Sequence, residues 1–213
     1  MTFKCRASAL GGLMTRLQNK TTLGKTSKKV VLNAVLQDAL DYRRELDAKQ
    51  INKGLALEDD AIKAVSLLKA VTLSKNTERK GNDWFTGECD LLTADSIRDT
   101  KCSWSIDSFP WTQEDAEQKV KDGGYDWQGQ VYMMLWGKKV HYVDFVLLPT
   151  PRDMLGYNDD EYEHIDLVNK IPLQKRIRTV KIEYDDALIE LAKERVEMAR
   201  DYYNELYEQI RIN

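Results

Sequence analysis

Residues 87 to 101 read GECDLLTADSIRDTK, two short strand-like runs separated by turn residues. Leu91-Leu92 and Ser96-Ile97-Arg98 predict two strands, with Thr93-Ala94-Asp95 turning the chain between them. If Ala94-Asp95 is a two-residue hairpin loop, residues whose numbers sum to 189 face one another. Asp90 then lies across from Asp99, with Cβ atoms roughly 5 Å apart. Like charges in that position repel, so the pairing asks for a compensating cation. Lys101, two residues beyond Asp99, returns to the same strand face. Two carboxylates and an ammonium on one face suit metal-dependent phosphodiester cleavage. A solvated hairpin with charges on its outer face is the plainer alternative.

Composition sets the outer limits. The chain has 213 residues, 42% hydrophobic and 31% charged, as expected for one globular domain spanning 1–213. Within it, 1–50 reads as a basic helical segment, 51–150 as a core, and 151–213 as a strand and long helix. No apolar run approaches the roughly 18 residues of a membrane helix, and the opening MTFKCRAS does not read as a signal peptide. Cys5, Cys89 and Cys102 form no CxxC pair, which favours a reducing cytoplasm over a disulfide scaffold. Neither histidine has a second histidine at ligand spacing, which argues against zinc.

Net charge is −3, yet residues 1–29 hold seven basic side chains and no acid, leaving 25 basic against 35 acidic residues in the remainder. A basic arm on an acidic body is a phosphate-contacting pattern, with Arg6, Arg16, Lys25 and Lys28 among its cations. Solvated surface lysines give the same composition.

The flanking elements follow from periodicity. Leu10, Leu13, Met14 and Leu17 predict a helix over 6–22, interrupted at Gly11-Gly12. Thr26 or Ser27 then caps a longer helix burying Val30, Val31, Ala34, Val35, Ala39, Tyr42 and Leu46. Gly54 opens a helix to about Val71. There Glu58 has Leu55, Ala61, Ile62 and Val65 as helical neighbours, which places an acid inside the apolar stripe. Such an acid is costly unless it binds something positive, although a first-turn carboxylate also favours the helix dipole. The second hairpin strand is expected to continue to Ile106, followed by a short helix over 113–121. YDWQGQVYMMLW, residues 125–136, is helical in pattern, with Tyr125, Gln128, Val131, Tyr132 and Leu135 in one stripe. A glutamine there can orient a carboxylate, touch a phosphate or simply cap the backbone. A buried strand is expected over 140–148, a solvated acidic loop over 152–163, and a half-exposed strand over 176–182. A final helix runs to Ile210, capped by Asp185 or Asp186, with Leu188, Leu191, Met198, Tyr202, Leu206 and Ile210 inward.

Four of these features stand in a telling order: inward Glu58, Gly87-x-x-Asp90, Asp99-x-Lys101, and a helix opening Tyr125-x-x-Gln128. This order resembles the PD-(D/E)XK nuclease superfamily, and within it the RecB-like, lambda-exonuclease or YqaJ-type phage recombination nucleases. The likeness covers about residues 50–150; RASALGGLMT, residues 6–15, is similar to the opening of YqaJ-type proteins. Asp-Thr-Lys replaces the commoner Glu-x-Lys, a permitted variant. The family's iron–sulfur members need four cysteines in set places, so no cluster is expected with three scattered ones.

The resemblance implies an α+β protein with an α/β/α restriction-endonuclease-like core, a central mixed β-sheet flanked by helices. It implies Mg²⁺, with Mn²⁺ able to substitute, on Asp90, Asp99, Glu58 and the Thr100 carbonyl. Lys101 would act on the attacking water or the phosphate, with Gln128 and Tyr125 as helpers and Arg6, Ser8, Arg16, Lys25 and Lys28 on DNA. The implied function is resection of linear duplex DNA ends in a bacterial or phage-infected cytoplasm, beside a single-strand annealing protein and as a homo-oligomer. An endonuclease on the same core, or a DNA-binding or assembly module without catalysis, remains an alternative.

Overall fold

The structure, a computed structural model, describes residues 2–15, 22–42 and 48–212. In chain order come β1 (Cys5–Arg6), α1 (Ala7–Leu13), α2 (Lys25–Leu40), α3 (Lys49–Ala56) and α4 (Glu58–Lys69). Short strands β2 (Lys80–Gly81), β3 (Phe85–Gly87) and β4 (Leu91–Leu92) lead into β5 (Ser96–Cys102). Then follow α5 (Gln113–Asp122), α6 (Tyr125–Trp136), β6 (Val140–Val146), α7 (Leu167–Lys170), β7 (Ile177–Glu183) and α8 (Asp186–Ile210).

The central sheet has the order β4-β5-β6-β7. It is mixed: β4 and β7 run antiparallel to their neighbours, whereas β5 and β6 are parallel from Ser96↔Val140 to Cys102↔Val146. A parallel neighbour needs a long crossover, here supplied by α5 and α6. Strand alternation divides the side chains between two helical layers. Ile97 packs with Val131 and Tyr132 of α6, and Val143 and Phe145 with Ala116 and Val120 of α5. On the opposite face, Val146 packs with Ala61 and Val65 of α4. This is the expected α+β architecture of a mixed sheet flanked by helices.

Local chemistry fixes the helix ends. Thr112 and Asp115 form a reciprocal capping box at α5, and the Asp185 side chain accepts from Ala187 N–H at α8. Gly124 (φ +67°) and Gly137 (φ +65°) bracket α6 in left-handed conformations. A Cβ on Gly11 would stand 2.6 Å from Gly124 Cα, so this glycine pair lets α1 pack directly on the start of α6.

Several boundaries differ from expectation. Gly11-Gly12 does not interrupt α1: Gly11 serves that close approach, and Gly12 leaves room for the Val30 side chain of α2. The cap of α2 is Gly24; Ser27 lies inside the helix and donates to Leu13 O at 2.8 Å. α2 ends at left-handed Asp41, which leaves Tyr42 exposed; Leu17 and Leu46 lie outside the described residues. Gly54 sits within α3 rather than opening a helix, and Leu57 separates α3 from α4. β5 stops at Cys102, β6 stops at Val146, and the 152–163 loop contains a 3-10 turn and the start of a π-helical turn. The inner edge of α8 is Ile189, Ala192, Val196, Ala199 and Tyr203. Its alanines are fully buried in the main core cluster, while the larger Leu191, Tyr202, Leu206 and Ile210 are partly buried against it. Among the described residues, no helix is long and apolar enough to cross a membrane.

Candidate active site

The β4–β5 hairpin closes on itself through Thr93. Its N–H donates to Ser96 O at 2.9 Å, and its hydroxyl accepts from Ser96 N–H at 3.0 Å. Ala94-Asp95 is therefore the loop, and the register Leu91↔Arg98, Leu92↔Ile97 is the expected one. One step further, where strand pairing ends, Asp90 and Asp99 oppose each other. Asn76 holds the departing chain, its N–H on Asp90 O at 2.8 Å and its side-chain amide on Cys89 O at 3.0 Å.

Lys101 stands between the two carboxylates. Its Nζ is 3.5 Å from Asp99 Oδ2 and 4.0 Å from Asp90 Oδ2. Asp99 is fully buried, whereas Asp90 and Lys101 are partly exposed. Burial, and then the Asp99 charge, push the Asp90 carboxyl up to about 7 against the opposing pull of Lys101. Burial also works against Asp99, but Lys101 and His141 outweigh it and hold the carboxyl below the usual range. Burial opposes the Lys101 charge too, and Asp99 and Asp90 overcome it, raising the ammonium's pKa.

The helix over 125–136 supports this cluster. Gln128 Nε2 donates to Asp99 Oδ2 at 3.2 Å and to the Tyr132 hydroxyl at 2.9 Å. The Tyr125 ring centre lies 5.0 Å from Lys101 Nζ, within cation–π range. Gly87 gives the Tyr132 ring its space, since a Cβ there would come within 2.8 Å of Cε1. Thus the Gly87-x-x-Asp90 spacing joins a packing requirement to a carboxylate.

Asp90, Thr100, Lys101, Tyr125 and Glu58 line a cleft of about 430 Å³, closed on one side by Gln50, Ile51, Gly54 and Leu55 of α3. Glu58 is the first residue of α4 and pairs with Lys75 at the cleft wall. It is not part of a continuous apolar stripe, because Leu55 belongs to α3 and is exposed. Among the described residues, no three His, Cys, Asp or Glu side chains converge closely enough to cage a metal ion. Mg²⁺ does not need such a cage: it commonly takes one or two carboxylates and completes its shell with waters and substrate phosphate. The donor set meets that requirement. Asp99 Oδ1 is buried without a hydrogen-bond partner among the described residues, and Asp90 borders the cleft. Ser96 O accepts from Thr93; alternation along β5 directs the Thr100 carbonyl to the same edge, beyond the start of β4.

The proposed DNA contacts are placed unevenly. Arg6 ends β1, beside Thr86 of β3, and donates to Gln37 Oε1 at 2.6 Å. Ser8 and Lys25 are exposed, and Lys28 Nζ lies 5.3 Å from the Tyr202 ring centre. Arg16 lies outside the described residues. Tyr203 is buried, with its hydroxyl on Asp38 at 2.8 Å and its ring stacked on Phe3 and Tyr207.

Sequence reasoning passed over His141, Tyr132 as partner of Gln128, and Lys75. It also passed over a buried ion pair, Arg98 to Asp144 at 2.8 and 2.9 Å, on the opposite sheet face. Alternation through Val143 and Phe145 was the available signal for His141, since it places all three on one inner face.

Neither a family model nor a curated protein sequence matches the chain. Among solved structures, a phage-related exonuclease from Haemophilus somnus 129PT is 38% identical, with TM-score 0.91 over 98% of this chain and 97% of that one. The alkaline exonuclease LHK-Exo of Laribacter hongkongensis is 16% identical, with TM-score 0.67 over 97% and 90% of the two chains. LHK-Exo in complex with dAMP gives 19% identity and TM-score 0.63 over the same shares. These last two likenesses are of fold. The first spans nearly all of both chains, and by it the chain belongs to the phage-type, lambda-exonuclease-like branch of the PD-(D/E)XK nucleases.

Proposed function

We propose that the protein is a Mg²⁺-dependent deoxyribonuclease that resects the ends of linear duplex DNA in phage-type recombination. The observation that carries this reading is the Asp90–Asp99 pair, opposed across a hairpin with Lys101 against both. Two facing acids are unfavourable in the bare chain and become useful once a divalent cation and a phosphate complete the site. The solved relatives point the same way: two are exonucleases, one of them also solved with dAMP.

Asp90, Asp99 and the Thr100 carbonyl would hold Mg²⁺, with Glu58 as a third carboxylate on the cleft wall. The bound cation would polarise the scissile phosphate and lower the pKa of a coordinated water. Lys101 positions the attacking water or meets charge developing on the phosphate as the bond to the leaving nucleotide breaks. Gln128 fixes the Asp99 carboxylate, and Tyr125 limits where the Lys101 ammonium can sit. Arg6, Ser8, Arg16, Lys25 and Lys28 contact DNA phosphates, a term that weakens with salt. A homo-oligomer and a single-strand annealing partner complete the proposal.

The test is digestion of end-labelled linear duplex and covalently closed circles with Mg²⁺ or EDTA. The expected result is Mg²⁺-dependent loss of nucleotides from linear ends while circles survive. Cleaved circles would establish an endonuclease. Intact DNA of both forms, with salt-sensitive binding retained, would establish a binding module.

A further inference from the structure

His141, the second residue of β6, makes no side-chain hydrogen bond within 3.5 Å among the described residues. It is fully buried, and neither ring nitrogen has a hydrogen-bond partner among the described residues. An unsatisfied buried imidazole is costly, so its retention needs a reason. The nearest charged atom is Asp99 Oδ2, 3.7 Å from Nε2, just beyond hydrogen-bonding distance. On the other side, Gly129 makes room for the ring: a Cβ there would fall 2.2 Å from Nδ1. The Nδ1 edge of the ring therefore lies against the bare Gly129 backbone, and the Nε2 edge is the one turned to Asp99.

Three donors thus converge on one oxygen. Gln128 Nε2 at 3.2 Å, Lys101 Nζ at 3.5 Å and His141 Nε2 at 3.7 Å all address Asp99 Oδ2, while Oδ1 has no partner. We infer that His141 is a positioning residue: through Nε2–H it backs Asp99 Oδ2 and presents Oδ1 as the metal-binding atom. The inference rests on the proposed metal site. It assigns Asp99 an outer hydrogen-bond partner from the neighbouring strand, the arrangement by which ligand orientation and basicity are tuned in metal sites. Apo hydrogen bonds of this kind are commonly long and shorten when the site is loaded.

The experiment is Mg²⁺ titration of the intact protein by calorimetry without DNA, using His141→Met and His141→Gln. The methionine keeps bulk but no donor, whereas the glutamine amide can replace Nε2–H. The expected result is an affinity loss of about 10- to 100-fold in His141→Met, largely restored in His141→Gln, with similar melting temperatures. Equal affinity in all three proteins, or equal loss in both variants, would reduce His141 to a packing residue. No Mg²⁺ binding by the unmodified protein would overturn this inference and the metal site together.

Should the variants not fold, the unmodified protein suffices. It contains two histidines, so ¹⁵N-histidine labelling with His164→Gln for assignment isolates the His141 ring. A proton on Nε2, with ring signals moving on Mg²⁺ addition, supports the inference. An Nε2 without a proton, or signals indifferent to Mg²⁺ that binds by calorimetry, overturns it.

Discussion

Asp90 and Asp99 oppose each other one step beyond the last paired residues of the β4–β5 hairpin, with Lys101 Nζ 4.0 and 3.5 Å from their Oδ2 atoms. A single ammonium does not offset two charges this close, and Asp90 bears the imbalance.

The carboxyl of Asp90 titrates at about 7 in the folded chain against an ordinary value of 3.8. The folded state therefore binds the proton more tightly than the unfolded state. Its contribution to stability is complete below about pH 4 and is lost as pH rises through 7. In EDTA, Asp90→Asn is expected to flatten the fall in melting temperature between pH 4 and 8 and to melt several degrees higher at pH 8. Thermal melts at four or five pH values check this; parallel profiles for the two proteins would contradict it.

The Tyr125 ring faces Lys101 at 5.0 Å. Tyr125→Phe keeps that face and should leave the rate within about threefold. Tyr125→Leu removes a cation–π contact worth about 0.5–2 kcal/mol and should slow digestion by roughly 3- to 30-fold. Equal rates for both variants in single-turnover digestion would show that the ring does not restrain Lys101.

Gln128 serves two groups at once, Asp99 and the Tyr132 hydroxyl. Gln128→Met leaves both without this donor. The expected cost is about 1–3 kcal/mol in denaturant unfolding and about 10- to 100-fold in activity at fixed Mg²⁺. Unchanged Mg²⁺ dependence would mean that Gln128 does not orient Asp99.

Arg98 and Asp144 form a nearly fully buried pair on the sheet face away from Asp99, and Thr179 adds a hydroxyl at 2.6 Å to Asp144. Asp144→Asn leaves the guanidinium without its counter-charge and should cost about 3–5 kcal/mol. Arg98→Met with Asp144→Leu should recover much of that loss. Denaturant midpoints decide between this and a dispensable pair.

How far the sequence could carry these conclusions depended on the range of the interaction. The hairpin register was legible because Ala94-Asp95 and the flanking strands fix it locally. The span of α6 was legible because Gly124 and Gly137 mark both ends. The surroundings of Glu58 were legible on the side of Ala61, Ile62 and Val65, which are buried on α4, but not at Leu55, because the break at Leu57 leaves Leu55 on α3 and nothing in ALEDD announces that break. The inner face of α8 was misread because hydrophobicity favours the large Leu191 and Tyr202, whereas the fully buried positions are held by the small Ala192 and Ala199. The ion pairs Arg98–Asp144 and Lys75–Glu58 and the His141–Asp99 approach join residues 17 to 46 positions apart. Only the assembled sheet brings such groups together.

The most direct test of the site is single-turnover digestion of linear duplex DNA by Lys101→Ala at saturating Mg²⁺, with DNA-end binding measured in parallel. If Lys101 acts on the water or the phosphate, the rate falls on the order of a hundredfold or more while end binding is preserved. A rate within a few-fold of the unmodified protein would contradict the account and move the chemistry away from the Asp90–Asp99–Lys101 cluster.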